Sequence, residues 1–271
     1  MKYIEIEIAP ITLDISELLI AELSENGFAG FEQGDDYLKA YISKSDFREP
    51  ELDFILNKYS VIYTQTLIQE TNWNELWESN FDPVVVDDFV GIRAYFHDPI
   101  PNVDLELLIT PKMSFGTGHH ATTYLMMQFM KNIDFKGKSV FDFGTGTGIL
   151  AILAEKLGGA SIIAGDHDDW CIDNASENIL NNQCKNIDVI KLDSANNAGI
   201  FQVVIANINK NIIIQNLQFL DQDSDFGADI LLSGLLLEDE PDILLAVESF
   251  AWSHIETKHK KGWIALHFKK N

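Results

Sequence analysis

Alternation governs the start of the chain. Ile4, Ile6 and Ile8 fall on one face and Tyr3, Glu5 and Glu7 on the other, the period of a strand with one buried side. The period then lengthens: Ile15, Leu18, Leu19 and Leu23 recur at helical spacing, Asp14 with Glu17 three residues on resembles a capping box, and Gly27 stands where a helix commonly stops. Strands follow near Phe28 to Glu32 and Tyr37 to Ile42 around a turn at Gly34-Asp35, then a helix near Pro50 to Tyr59 and a strand near Val61 to Ile68. The order β-α-β-β-α-β predicts a small ferredoxin-like α+β domain over residues 1–70. That architecture serves many functions, so the pattern assigns none to it.

Trp73, Leu76, Trp77 and Phe81 repeat at helical spacing before Pro83, which predicts a linker helix over residues 71–83 docked by its two tryptophans. Residues 84–271 form the second predicted domain. Strand-like runs at Val84 to Val86, Val90 to Phe96 and Leu105 to Ile109 lead into Pro111 and a loop, Phe115-Gly116-Thr117-Gly118-His119-His120-Ala121-Thr122-Thr123. From Lys138 onward, strands near 138–143, 161–165, 187–191, 202–206 and 228–232 alternate with helices, and a final pair near 252–259 and 262–268 joins at Gly262. Strands separated by helices imply an α/β fold with a mostly parallel sheet covered on both faces, to which the closing hairpin adds an antiparallel edge.

Composition narrows the setting. A chain of 271 residues with 46% apolar and 23% charged residues is that of a soluble globular protein, and no stretch approaches 18 uninterrupted apolar residues. Glu5 and Glu7 near the start are unlike a secretory signal, and the two cysteines, Cys171 and Cys184, suit a reducing compartment, so a cytoplasmic location and a monomer are expected. Lys and Arg number 19 against 42 Asp and Glu, a net charge of −23. This argues against a nucleic-acid backbone as main partner, since such affinity comes from Lys and Arg displacing counterions. An acidic surface attracts a basic protein, or serves only solubility.

The candidate chemistry sits at Val140-Phe141-Asp142-Phe143-Gly144-Thr145-Gly146-Thr147-Gly148, a strand that breaks into glycines and restarts as a helix, with Asp166 following 22 positions after Gly144. Glycines let the backbone turn sharply and approach a nucleotide, and an acid ending the next strand accepts from ribose hydroxyls. A dinucleotide fingerprint would place its third glycine at position 149, which is Ile149, so S-adenosylmethionine is the better match for Gly144, Gly146 and Gly148. Ligands of open α/β sheets bind beyond the carboxyl ends of the strands, where Asp166 and Asn207 also fall, with Thr122-Thr123 in the loop that opens a helix ahead of the first strand. Asn207 suits a group that holds the cofactor or orients a substrate nitrogen, or else a helix cap. Adjacent rings such as His119 and His120 rarely reach one ion, so no metal is expected, and Met126, Met127 and Met130 read as core.

Taken together, these motifs resemble the bacterial ribosomal protein L-eleven (L11) methyltransferase family. The resemblance runs from the Trp73/Trp77 segment through Phe115-Gly116-Thr117-Gly118 with His120 and Thr122-Thr123, the glycine motif, Asp166 with Asp168, Asn174 to Asn178, Asn207-Ile208 and Ser233-Gly234-Leu235-Leu236 to Trp263. It implies a Rossmann-like S-adenosylmethionine-dependent catalytic domain that methylates amino groups, a lysine side chain or the N-terminal amine, of that basic ribosomal protein. It also implies that Thr123, Gly144, Asp166 and Asn207 contact the cofactor and that the N-terminal domain captures the substrate. His119, Ala121 and Asn209-Lys210 depart from the family pattern, the last pair standing where apolar residues usually follow.

A lysine must lose its proton before transfer, which costs on the order of 4 kcal/mol near pH 7, and no side chain stands out as a base. The catalytic residue is therefore left unassigned. Two rivals remain at this stage: a methyltransferase for planar nitrogens, which usually carries Asn-Pro-Pro-Tyr in place of Asn207-Ile208-Asn209-Lys210, and a non-catalytic adaptor that binds ribosomal protein.

Overall fold

Of the N-terminal apolar pattern, Ile4, Ile6, Ile8, Leu19 and Leu23 are buried and Ile15 partly so, while Leu18 of the expected helical stripe is exposed at 55%, in the computed structural model, which describes residues 3–28, 30–34, 36–68, 82–110, 116–196 and 199–271. The chain separates into two compact units, Met1–Asn80 and Phe81–Asn271. In the first, β1 (Tyr3–Ile8), α1 (Leu13–Glu25), β2 (Gly30–Gln33), β3 (Leu38–Ser43), α2 (Glu49–Asn57) and β4 (Tyr63–Ile68) give a sheet of order β2-β3-β1-β4, antiparallel throughout. Ile4, Ile6 and Ile8 pack with Leu19, Leu23, Leu52 and Leu56, each fully buried side chain contributing about 1.5–3 kcal/mol. This is the ferredoxin-like arrangement. One local expectation is corrected: α1 is preceded by Thr12 at the N-cap with no side-chain bond, and Asp14 lies inside the first turn, where its charge favours the positive end of the helix dipole. The predicted linker helix falls on residues outside those described, apart from Asp82 and Pro83.

The second unit opens with a three-stranded sheet that the local runs did not reveal as separate. β5 (Val84–Val86) pairs antiparallel with β6 (Val90–Arg93), which pairs parallel with β7 (Leu105–Leu108). β6 ends earlier than its apolar run because the chain turns there: His97 N donates to the Ala94 carbonyl, and the Arg93 guanidinium donates to the His97 carbonyl at 2.9 Å.

Beyond it come α3 (Ala121–Met130), β8 (Ser139–Phe143), α4 (Ile149–Lys156), β9 (Ser161–Asp166), α5 (Asp169–Asn181), β10 (Ile187–Lys191), β11 (Phe201–Asn207) and α6 (Lys210–Gln222). β12 (Ser224–Leu236), α7 (Glu240–Val247), β13 (Trp252–Lys260) and β14 (Trp263–Lys270) complete the chain. The seven-stranded sheet has the order β10-β9-β8-β11-β12-β14-β13; its first five strands are parallel and the β13–β14 hairpin supplies the antiparallel edge. β12 is longer than its apolar run because it is paired on both sides, with β11 and β14. Met126, Met127 and Met130 are buried in the core, as their spacing suggested. Sequence order reverses across the β8/β11 pair, and such a switch point opens a crevice beyond the strand ends. Among the described residues no helix is long and apolar enough to cross a membrane.

Candidate active site

The glycine segment turns where the sequence requires it. Gly144, Gly146 and Gly148 have φ of 77°, 56° and 79°, the left-handed region open to glycine. Backbone N–H groups of Gly144 and Thr145 donate to the Gly165 carbonyl at 2.8 and 3.0 Å, fastening the loop to the end of β9. Gly146 N donates to one oxygen of Asp166 at 2.9 Å, while Asp168 N and the His167 ring meet the other at 3.2 and 3.3 Å. The acid is thus aimed back at the loop. Gly148 caps α4, and a Cβ there would meet the Ala175 backbone of α5 at 3.3 Å, so its absence brings the two helices together.

Beneath the loop lies a second carboxylate that the sequence reading passed over. Asp142 is 1% exposed and accepts from the Thr145 hydroxyl at 2.6 Å. Burial, with a further contribution from the charge of Asp166, pushes its carboxyl up to about 7, against the opposing hydrogen bond of Thr145. The buried setting thus favours the neutral carboxyl well above the usual carboxylate range.

The loop carrying Gly116 docks on the cradle, where the Thr147 hydroxyl donates to the Gly116 carbonyl at 2.6 Å. Phe115 lies outside the described residues. Behind the cradle, the Asn178 amide donates to the Thr147 carbonyl at 2.9 Å and its oxygen accepts from Thr110 N at 2.8 Å. That asparagine therefore ties α5 to both loops, which accounts physically for one of the motif residues. His120 caps α3, its Nδ1 accepting from Thr122 N, and its ring packs edge-on to Trp263 with centroids 4.5 Å apart. Burial holds this imidazole below its usual value, which favours the neutral ring. Among the described residues no group of three or more His, Cys, Asp or Glu is placed to hold a metal ion.

Opposite the cradle, β11 ends on Asn207. The cap of α6 is the neighbouring Asn209, whose side chain accepts from Ile212 N at 3.1 Å, so capping does not occupy Asn207. Asn207 is 8% exposed; its amide nitrogen lies 3.5 Å from the Thr123 hydroxyl, and its oxygen has no hydrogen-bond partner among the described residues. A buried acceptor left unpaired costs about 1–3 kcal/mol, which marks it as a position for a donor from outside the chain. Ile208 N donates to the Ser233 carbonyl at 3.0 Å, and Gly234, at φ 86°, lies so close that a Cβ would overlap the Ile208 carbonyl. Two residues on, the Lys210 ammonium bridges Asp239 at 2.7 Å and Asp242 at 3.0 Å. Those two carboxylates raise the pKa of Lys210, so it is fully charged. The departure Asn209-Lys210 therefore supplies a cap and an ion pair that fix the wall.

A cavity of about 370 Å³ lies between these parts. Gly144, Gly146, Asp166 and Asn207 line it, together with Ile208 and Trp263. Of the other residues singled out from sequence, Thr123 is buried behind Asn207 and Gly148 packs on α5, neither contributing to the lining. His120, Asp168 and Cys171 join the lining although no cofactor motif singled out Cys171. A carboxylate at the end of the second strand, a glycine backbone free of side chains and an unpaired buried amide oxygen together fit S-adenosylmethionine with an acceptor nitrogen beside it.

Comparisons with known proteins point the same way. The family model described as Ribosomal protein L11 methyltransferase (PrmA) matches residues 28–271. The chain is 41% identical over 260 residues to the Ribosomal protein L11 methyltransferase of Porphyromonas gingivalis, spanning 93% of this chain and 90% of that one. It is 37% identical over 279 residues to that of Phocaeicola vulgatus, spanning 99% of each. Among solved structures, the ribosomal protein L11 methylase of Lactobacillus delbrueckii subsp. bulgaricus superposes with a TM-score of 0.65 at 28% identity, covering 70% of this chain and all 100% of that one.

Proposed function

The chain belongs to the ribosomal protein L11 methyltransferase family, and from that premise we propose that it methylates amino groups of ribosomal protein L11, at lysine side chains or the N-terminal amine, in the cytoplasm. S-adenosylmethionine, when bound, supplies a methyl group on a positively charged sulfur that leaves as a neutral thioether. The chain's own residues supply position and environment. Asp166 would hold the ribose hydroxyls, the backbone of Gly144 and Gly146 would admit the nucleoside, and Thr123 would support Asn207 from behind.

The observation that carries the reading is the unpaired oxygen of Asn207 in the cavity wall. An amine N–H donating to that oxygen has its lone pair turned away from the asparagine, so one contact both binds the nitrogen and aims it. Ile208 and Trp263 give the same position an apolar border, which disfavours the ammonium form and lowers the cost of deprotonation. The segment Asn207-Ile208-Asn209-Lys210 carries neither proline nor aromatic ring to clamp a flat acceptor, and a tetrahedral aliphatic nitrogen needs no clamp. The N-terminal unit, taken as residues 1–70, is assigned to capture of the basic substrate, and residues 84–271 to catalysis.

The test is transfer of labelled methyl groups to purified ribosomal protein L11, with the modified amines located by fragment mass. Asn207→Ala should lower the single-turnover rate at saturating cofactor by ten- to a hundredfold, more than its effect on cofactor affinity accounts for. An unlabelled L11 alongside labelling of another acceptor would refute the substrate, and an unchanged rate in Asn207→Ala would reduce that residue to structure.

A further inference from the structure

Trp263 lines two cavities. Besides the one already described, a second of about 340 Å³ is walled by Leu237, Trp263 and the turn of the β13–β14 hairpin, His259 to Gly262. The two differ in charge: Asp166 and Asp168 line the first, whereas among the described residues the second has no carboxylate in its lining and three basic-type residues, His259, Lys260 and Lys261. Those three belong to the run Lys258-His259-Lys260-Lys261 in a chain whose net charge is −23. Carboxylates are repelled by most of such a surface, so a local cation cluster beside the active cavity is a selective feature.

The turn is held firmly. Lys260 pairs with Trp263 across the hairpin, Leu237 N donates to the Gly262 carbonyl at 3.0 Å, and Gly262 takes φ 81°. Within the run, Lys258 and Lys260 are engaged: their ammonium groups sit over the rings of Phe129 and Tyr124, at 4.8 and 3.3 Å from the centroids. Lys261 is exposed at the tip of the turn, and among the described residues no carboxylate forms an ion pair with it. Leu237 and the indole add an apolar wall at which an aliphatic stem loses water.

We propose that this second cavity is a peptide subsite for the methyl acceptor: it receives the protein segment next to the modified amine, and Lys261 with His259 pairs with a carboxylate on that segment. The inference rests on the assignment of the first cavity to an amine of a protein substrate. Because one indole borders both cavities, groups held in them lie only a short distance apart along the acceptor chain. A phosphate backbone is the other anion to weigh, but it calls for an extended basic surface rather than one turn in a chain of net charge −23.

Steady-state methylation of free ribosomal protein L11 by the full-length chain tests this, with cofactor affinity measured in parallel by calorimetry. Lys261→Glu should raise KM for L11 by roughly three- to tenfold at low salt, with kcat and cofactor affinity within about twofold, because it replaces an exposed attraction by a repulsion. Lys261→Arg should keep the parental KM. Once fragment mass has located the modified amine, changing the acidic residues of L11 nearest to it to lysine, one at a time, should yield a variant that restores the KM of Lys261→Glu, an exchange that a merely structural role does not produce. An unchanged KM in both Lys261→Glu and the double variant His259→Glu with Lys261→Glu overturns the proposal. So does a KM change confined to ribosome-bound L11, which would assign the turn to RNA phosphates, or a loss of cofactor affinity in both Lys261 variants. A parent that leaves L11 unmethylated refutes the assigned reaction itself, and the occupant proposed here with it.

Discussion

The two banks of the crevice are built by different means. On the β8–β9 side, Asp142, Thr145, Gly146 and Asp166 are linked by short hydrogen bonds in a buried setting. On the β11–β12 side, the wall at Ile208 is set by the close approach of Gly234 and by Lys210, which is 31% exposed and bridges Asp239 and Asp242. Buried hydrogen bonds resist salt, while partly exposed ion pairs are screened by it. The cofactor bank, at Asp142 and Asp166, should therefore keep its geometry as salt rises, and the acceptor bank, at Ile208, should respond to it.

The comparison is tested most severely at Asp142, where burial and the neighbouring Asp166 push the carboxyl up to about 7 against the Thr145 hydroxyl. The unfolded value is about 3.9, so between these values the folded chain binds more protons than the unfolded one. The contribution of this group to stability is accordingly full at low pH and is lost as pH rises through about 7. Asp142→Asn is neutral throughout. Relative to the parent, the variant should gain about 2–3 kcal/mol between pH 5 and pH 8, read from urea midpoints. Parallel pH curves for the two proteins would show that the cofactor bank does not rest on a carboxyl that is neutral in the fold.

Asp166 comes next in size. Its two oxygens are oriented by Gly146 N and Asp168 N, and in the proposed role, charge-assisted hydrogen bonds from the ribose hydroxyls to this carboxylate would be worth about 1.5–3 kcal/mol. Asp166→Ala should weaken S-adenosylmethionine binding by roughly ten- to a hundredfold, with little change in KM for the protein substrate. Calorimetry that gives parental affinity in a folded variant removes Asp166 from the site.

The cofactor bank is also the half that was legible in sequence, for a physical reason. Left-handed backbone leaves a mark in the residue type, so Gly144, Gly146 and Gly148 announce the turn before any fold is known, and Asp166 follows from counting to the end of an apolar strand; on the opposite bank only Asn207, at the end of β11, is legible in the same way. Asp142 leaves no such mark, because its burial depends on what covers the strand. Lys210 could be seen only as a departure from pattern; its meaning lies in Asp239 and Asp242, about thirty residues on, which only tertiary packing brings near. The sheet of β5 to β7 and the second cavity beside Trp263 were hidden for the same reason, since local periodicity names a strand but not its neighbour.

The smallest effect, and the sharpest on the acceptor bank, is expected at Lys210. Lys210→Ile removes the ammonium and leaves Asp239, which is 8% exposed, without its cation. Asp239 also accepts from Leu236 N at 2.8 Å, so a shift of this carboxylate carries the segment after Gly234, and with it the support of Ile208. The expected outcome is a loss of about three- to tenfold in kcat/KM for L11 with cofactor affinity within about twofold, whereas Lys210→Arg, which keeps the charge, retains most of the activity. Raising the salt concentration should narrow the gap between parent and Lys210→Ile, because screening weakens the same ion pair in the parent. If Lys210→Ile matches the parent at low salt, the acceptor wall is held by Gly234 and the Ser233 hydrogen bond alone, and the contrast between a salt-resistant and a salt-responsive bank fails.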